Sequence, residues 1–128
     1  MKIIDTTTYF EEDLVMNLRF NILNSYVDKF IVSEARFTHS GKEKDIKFDK
    51  EKFPNFTDKI IHIVIDKEPS EIIKKNSLST REKRFNSIQR IKAQRDYIIK
   101  YLEPFSKDDY IIHSDNDEIP NLKNIDFK

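Results

Sequence analysis

A chain of 128 residues, 38% apolar and 36% charged, is sized for one domain, and its mean hydropathy of -0.67 leaves no apolar run that approaches the roughly eighteen residues of a membrane span. Its 23 basic and 23 acidic side chains cancel, so it lacks the positive surplus that broad nucleic-acid binding needs. Without cysteine it has no disulfide, thiolate zinc site, iron–sulfur cluster or cysteine nucleophile, and its single glycine, Gly41, is too few for a P-loop or a dinucleotide fingerprint.

The opening residues turn polar by Asp5, so no secretory apolar region follows the start and a cytoplasmic location is expected. Lys2 to Thr8 is short and rich in β-branched residues, the pattern of a first strand. Glu11, Glu12 and Asp13 then place negative charge where a helix N-terminus favours it. Leu14, Val15, Leu18 and Ile22 recur at helical spacing and predict a buried face, with Asn17, Arg19 and Asn21 turned outward and the helix ending near Asn24. Phe30 to Ser33, closed by Glu34, is a run of strand length. Strand, helix and strand in that order predict a parallel pair joined by a crossover.

From Ala35 to Lys59 the pattern is mostly that of loop, with a turn at Thr38 to Gly41, a short candidate strand at Ile46 to Phe48 and a break at Pro54. Ile60 to Ile65 is the most apolar run in the chain and is expected to be a central buried strand, with His62 as a core histidine bonded to backbone. Ser79 and Glu82 have capping-box spacing and open a long helix to about Leu102, which Pro104 ends. Its apolar stripe of Ile88, Ile91, Ile98 and Leu102 is completed by Arg95. Either an acidic partner or ligand lies opposite that guanidinium, or its stem carries the charge out to solvent. Tyr110 to His113 is read as another buried strand.

Ser114-Asp115-Asn116-Asp117-Glu118-Ile119-Pro120 follows that strand and is the one concentrated chemical signal in the sequence. Ligands of open α/β sheets bind beyond the carboxyl ends of strands, so the place suits a site. If the segment is extended, Asp115 and Asp117 project the same way and can share a hard cation, Mg2+ or Mn2+, that keeps waters and substrate phosphates as further ligands. The plainer alternative is a solvated acidic turn.

Several segments taken in order favour the first. Asp5 to Leu14, Arg19-Phe20-Asn21, Val27 to Glu34, Thr38 to Lys42, Asp58 to Ile61, Gln94-Arg95-Asp96 and Ser114 to Pro120 together resemble glycosyltransferase family 17, the family of the bisecting β-1,4-N-acetylglucosaminyltransferase and its microbial relatives. The resemblance implies a single domain over residues 1–128 with a GT-A fold, a Rossmann-like α/β/α sandwich with a mostly parallel sheet. It also implies a nucleotide-sugar donor, a UDP-sugar, a glycan acceptor, and Mn2+ or Mg2+ held by the Asp-x-Asp motif, matched by Asp115 and Asp117. Substrate-binding positions follow at Asp5, Glu12, Glu34, Lys42, Arg95 and Asp115. Asp96 stands where the family usually has Asn. Glu118 is either the catalytic base or a brace for the motif.

Family members that act as enzymes are longer, and the chain stops eight residues after Pro120, so the resemblance implies the amino-terminal part of a GT-A domain, truncated after its metal motif. Three situations fit: a fragment of a longer enzyme, a split protein whose fold a second chain completes, or a module that binds nucleotide-sugar without completing transfer. In the last, Tyr9, Phe10, Phe53 and Phe56 are either contact surface or core. A response-regulator receiver and an Asp-x-Asp phosphatase both need their acidic residues after the first strand, which is the wrong order here.

Overall fold

The computed structural model describes residues 1–127. Strands β1 (Ile3–Thr8), β2 (Lys29–Ala35), β3 (Ile60–Ile65) and β4 (Tyr110–His113) form one sheet in the order β3-β2-β1-β4, with every pairing parallel. Parallel neighbours require crossovers. Helix α1 (Asp13–Leu23) joins β1 to β2, and α2 (Thr80–Asp96), continued as a 3-10 helix over Tyr97–Tyr101, lies between β3 and β4. This is the α/β order the sequence predicts, and the Ser79–Glu82 capping box opens α2 with both reciprocal hydrogen bonds in place. No helix among the described residues is long and apolar enough to cross a membrane.

The two faces of the sheet are covered separately. Met16, Phe20 and Leu23 of α1 pack with Phe30 and Val32 of β2, and Phe48, Phe53 and Phe56 from the β2–β3 connection fill in around them. On the other face Ile98 meets Ile4, Ile31 and Ile63. Alternation along each strand produces the division, since Phe30 and Val32 point one way and Ile31 the other. Burying each such side chain contributes about 1.5–3 kcal/mol, so the aromatic-rich α1 layer holds the larger share of the core energy.

The buried face of α1 is the opposite of the one expected. Leu14, Leu18 and Ile22 are 84%, 53% and 44% exposed, whereas Met16, Arg19, Phe20 and Leu23 are buried. Arg19 can turn inward because Asp5 and several carbonyls satisfy its guanidinium, and the helix then inserts Phe20 into the aromatic layer.

β3 is an edge strand, not a central one, and β4, expected to be buried, is the opposite edge. β3 is apolar because it is covered on both faces, with Ile60 in one layer and Ile63 in the other. Tyr110 and Ile111 of β4 remain 39% and 40% exposed. The candidate strand at Ile46 to Phe48 does not form. Backbone N–H groups of Lys47 and Phe48 donate to the Glu34 carboxylate at 2.8 and 3.1 Å, so a side chain takes the place of a strand partner. His62 bonds that same carboxylate at 3.1 Å and not backbone.

On α2 the inward residues are polar: Asn86, Arg90 and Gln94 are buried, while Ile88 is 50% exposed. Arg95 therefore leaves the core-facing slot that the apolar stripe assigned to it and stands at the rim, 46% exposed.

Candidate functional site

The chain leaves β1 toward β2 on one side, and β4 arrives on the other, so the strand order reverses between β1 and β4. Such a switch point opens a crevice at the carboxyl ends of the strands. A cleft of about 270 Å³ lies there, walled by Thr8 of β1, by Phe10 and Glu12 at the entry to α1, and by His39 after β2. Ile91, Gln94 and Arg95 of α2 form one side and Asp115, Asn116 and Asp117 the other.

Of the two conformations the sequence left open, Asp115 to Glu118 takes the turn, closed by Glu118 N–H donating to Asp115 O at 3.0 Å. Both aspartates still line the cleft because the turn is fastened from below. Arg19 Nε and NH2 donate to Asp5 Oδ2 and Oδ1 at 2.8 and 2.7 Å, and its NH1 donates to the carbonyls of Asp115, Asn116 and Glu118 at 2.9, 3.3 and 3.2 Å. Thr7 Oγ1 donates to Ser114 O at 2.9 Å, and Asn116 Nδ2 to Glu12 Oε2 at 2.7 Å. Removing one member of a buried pair such as Asp5–Arg19 costs about 3–5 kcal/mol because the other charge is stranded.

The second arginine contact on this turn is of another kind. Arg95 NH2 donates to Asp115 Oδ1 at 2.7 Å with both side chains 46% exposed, and a pair so open to water is worth about 0–1 kcal/mol. Asp115 Oδ2 and the Asp117 carboxylate accept no hydrogen bond among the described residues. No group of three or more His, Asp or Glu able to cage a metal is present among the described residues. Two carboxylates with free oxygens in one cleft suit instead a hard divalent ion that keeps water and substrate phosphate in its other positions.

His39 faces the cleft from a fixed turn. Its carbonyl accepts from Arg90 NH1 and Ser87 Oγ, each at 3.0 Å, and its ring meets Phe10 edge to face at 4.5 Å. Burial, followed by the fields of Arg90 and Arg95, pushes its pKa down, so the imidazole is neutral at pH 7, and its buried Nε2 has no hydrogen-bond partner among the described residues. Gly41, at φ +90°, lies so close to the Arg90 guanidinium that a Cβ would overlap it, which explains the one glycine in the chain.

The family model for glycosyltransferase family 17 matches residues 1–128, the whole chain. The chain belongs to glycosyltransferase family 17. No curated protein and no solved structure matches it. Glycosyl transfer is the function class of this family 17 chain, and the expected site residues can be placed against its cleft. Glu12, Arg95, Asp115 and Asp117 line it together. Asp5 does not, being 1% exposed and engaged by Arg19. Glu34 does not either: it is sealed beneath the sheet's α1 face and bound by Lys44, His62 and two backbone N–H groups. Lys42 is exposed in the turn that carries His39. Glu118 Oε2 accepts from Asp115 N–H at 3.3 Å, bracing the turn.

Phe10, His39 and Gln94 were not predicted as cleft residues, although all three lie in segments that carry the resemblance. Arg19 lies in such a segment too. Tyr9, Phe53 and Phe56 are core. Only Phe10 of the four aromatics reaches the cleft.

Proposed function

We propose that this family 17 chain binds a UDP-sugar with Mn2+ or Mg2+ in the cleft between β1 and β4 and takes part in transferring an N-acetylglucosamine-like sugar to a glycan acceptor on a GT-A plan. The observation that carries the reading is the convergence of a free Asp117 carboxylate, a half-free Asp115 and the Arg95 guanidinium at the switch point of the sheet. Asp115 and Asp117 would hold the cation. Bound there, it would neutralise the charge that gathers on the β-phosphate as the nucleoside diphosphate leaves. Arg95 binds the diphosphate as a planar donor, and the β1–α1 junction at Phe10 and Glu12 receives the nucleoside. Asp5 acts through Arg19, holding the acidic turn in place, and Glu34 acts by fixing the strand that leads to His39.

Titration with UDP-N-acetylglucosamine, with and without Mn2+, tests this on wild type and Asp117→Asn. Binding should require the ion and should be lost in the variant. Equal binding in all four conditions would remove the metal site.

A second reading, donor binding without transfer, is favoured by the Glu118 carboxylate, which is turned to the backbone of its own motif and not to the cleft. Sugar transfer or slow UDP-sugar hydrolysis by the chain would count against it. If a second chain completes the fold, the open edge of β4 is where it would pair.

A further inference from the structure

Two arginine–aspartate contacts hold the same acidic turn, and they differ in how readily they part. Asp5–Arg19 is sealed, with side chains 1% and 0% exposed, whereas Arg95–Asp115 stands half in water and uses one carboxylate oxygen. We propose that Arg95 serves as an exchangeable counter-charge: it neutralises Asp115 while the cleft is empty and passes to the donor's diphosphate when a divalent ion takes its place on the carboxylate. This rests on the reading of the cleft as a cation and diphosphate site.

The charges require the two exchanges to be coupled. A divalent ion arriving alone on the free oxygens of Asp115 and Asp117 sits beside the Arg95 guanidinium, a charge of like sign on the same carboxylate, and works against that pair. A diphosphate arriving alone meets the carboxylates of Asp115 and Asp117 with no cation between them. When both arrive, every charge has a partner, and the guanidinium offers the planar fork that matches phosphate oxygens. Cation and diphosphate therefore favour each other's binding, reciprocally and by the same factor.

Mn2+ binding is measured by electron paramagnetic resonance, with and without uridine diphosphate, for wild type, Arg95→Ala and Arg95→Lys, with circular dichroism to confirm folding. In wild type, uridine diphosphate should tighten Mn2+ by about 5- to 150-fold, the usual span of such coupling. Arg95→Ala should bind Mn2+ alone several-fold more tightly than wild type and lose most of the tightening. Arg95→Lys keeps a competing charge and should bind Mn2+ alone as wild type does, with reduced tightening. Unchanged or weaker binding of Mn2+ alone by Arg95→Ala, with the tightening intact, overturns the exchange and leaves the cation site standing. Wild type that binds neither probe overturns the site itself and the exchange with it.

Discussion

Arg19 grips Asp5 as a fork, Nε on one carboxylate oxygen at 2.8 Å and NH2 on the other at 2.7 Å, while its remaining nitrogen reaches the carbonyl of Asp115 at 2.9 Å. One guanidinium thus ties the first strand to the turn that follows the last. Asp5 and Asp115 are 110 positions apart in sequence, yet the placement of one depends on the charge of the other.

Asp5→Ala should lower unfolding free energy by about 3–5 kcal/mol in urea denaturation, because it leaves the buried guanidinium without its carboxylate. The double replacement Asp5→Leu with Arg19→Met should recover much of that stability, since no charge is then stranded. It should not recover donor binding, because the carbonyls of Asp115, Asn116 and Glu118 lose their common donor. Calorimetric titration of the double variant with UDP-sugar and Mn2+ at wild-type affinity would contradict the tethering role.

Glu34 should make the fold less stable in acid. Burial raises its pKa, but hydrogen bonds from His62, Lys47 N–H, Lys44 and Phe48 N–H outweigh burial and bring it from 4.5 down to about 2. A depressed carboxylate pKa stabilises the fold above the unfolded value and loses that contribution as pH falls through the folded one. Stability should therefore be flat for this group above about pH 4.5 and decline from there toward pH 2. Glu34→Gln should cost about 1–3 kcal/mol near neutrality and flatten the acid limb in thermal melts followed across that window.

Helix α1 separates its two apolar stripes cleanly enough to test. Leu18→Lys, on the exposed stripe, should change stability by no more than about 0.5 kcal/mol, the range of ordinary surface replacements. Met16→Ala, fully buried two positions earlier, should cost about 2–5 kcal/mol. Equal losses in urea denaturation would mean that the exposed stripe is covered in solution.

Features that depend on neighbours in sequence were legible. The strands, the capping box at Ser79 and the acidic turn after β4 announce themselves through periodicity, spacing and composition. Features that depend on distant partners were not. Arg19 has the sequence context of a surface residue, and only Asp5 and the carbonyls near Asp115 make it an inner one. An apolar run such as Ile60 to Ile65 reports cover on both faces and says nothing of whether another strand lies alongside, so it does not reveal that β3 is an edge strand. Arg95 shows the intermediate case. Each of the two alternatives read for it holds in part, since Asp115 lies opposite the guanidinium and the charge stands half in water, but the loss of the core-facing slot was not legible, because the inner stripe of α2 is polar.

That polar inner stripe decides how the wall of the cleft behaves. Aliphatic side chains slide over a sheet with little change in energy, but Gln94 and Ser33 exchange hydrogen bonds with each other's backbone at 3.0 Å, and Asn86 clasps both backbone groups of Ile73 at 2.8 and 3.0 Å. Shifting α2 by one residue would break all four at once. The helix thus has a single seat on the sheet, keyed rather than greased, and Arg95, one position beyond Gln94, takes its place at the rim from that seat.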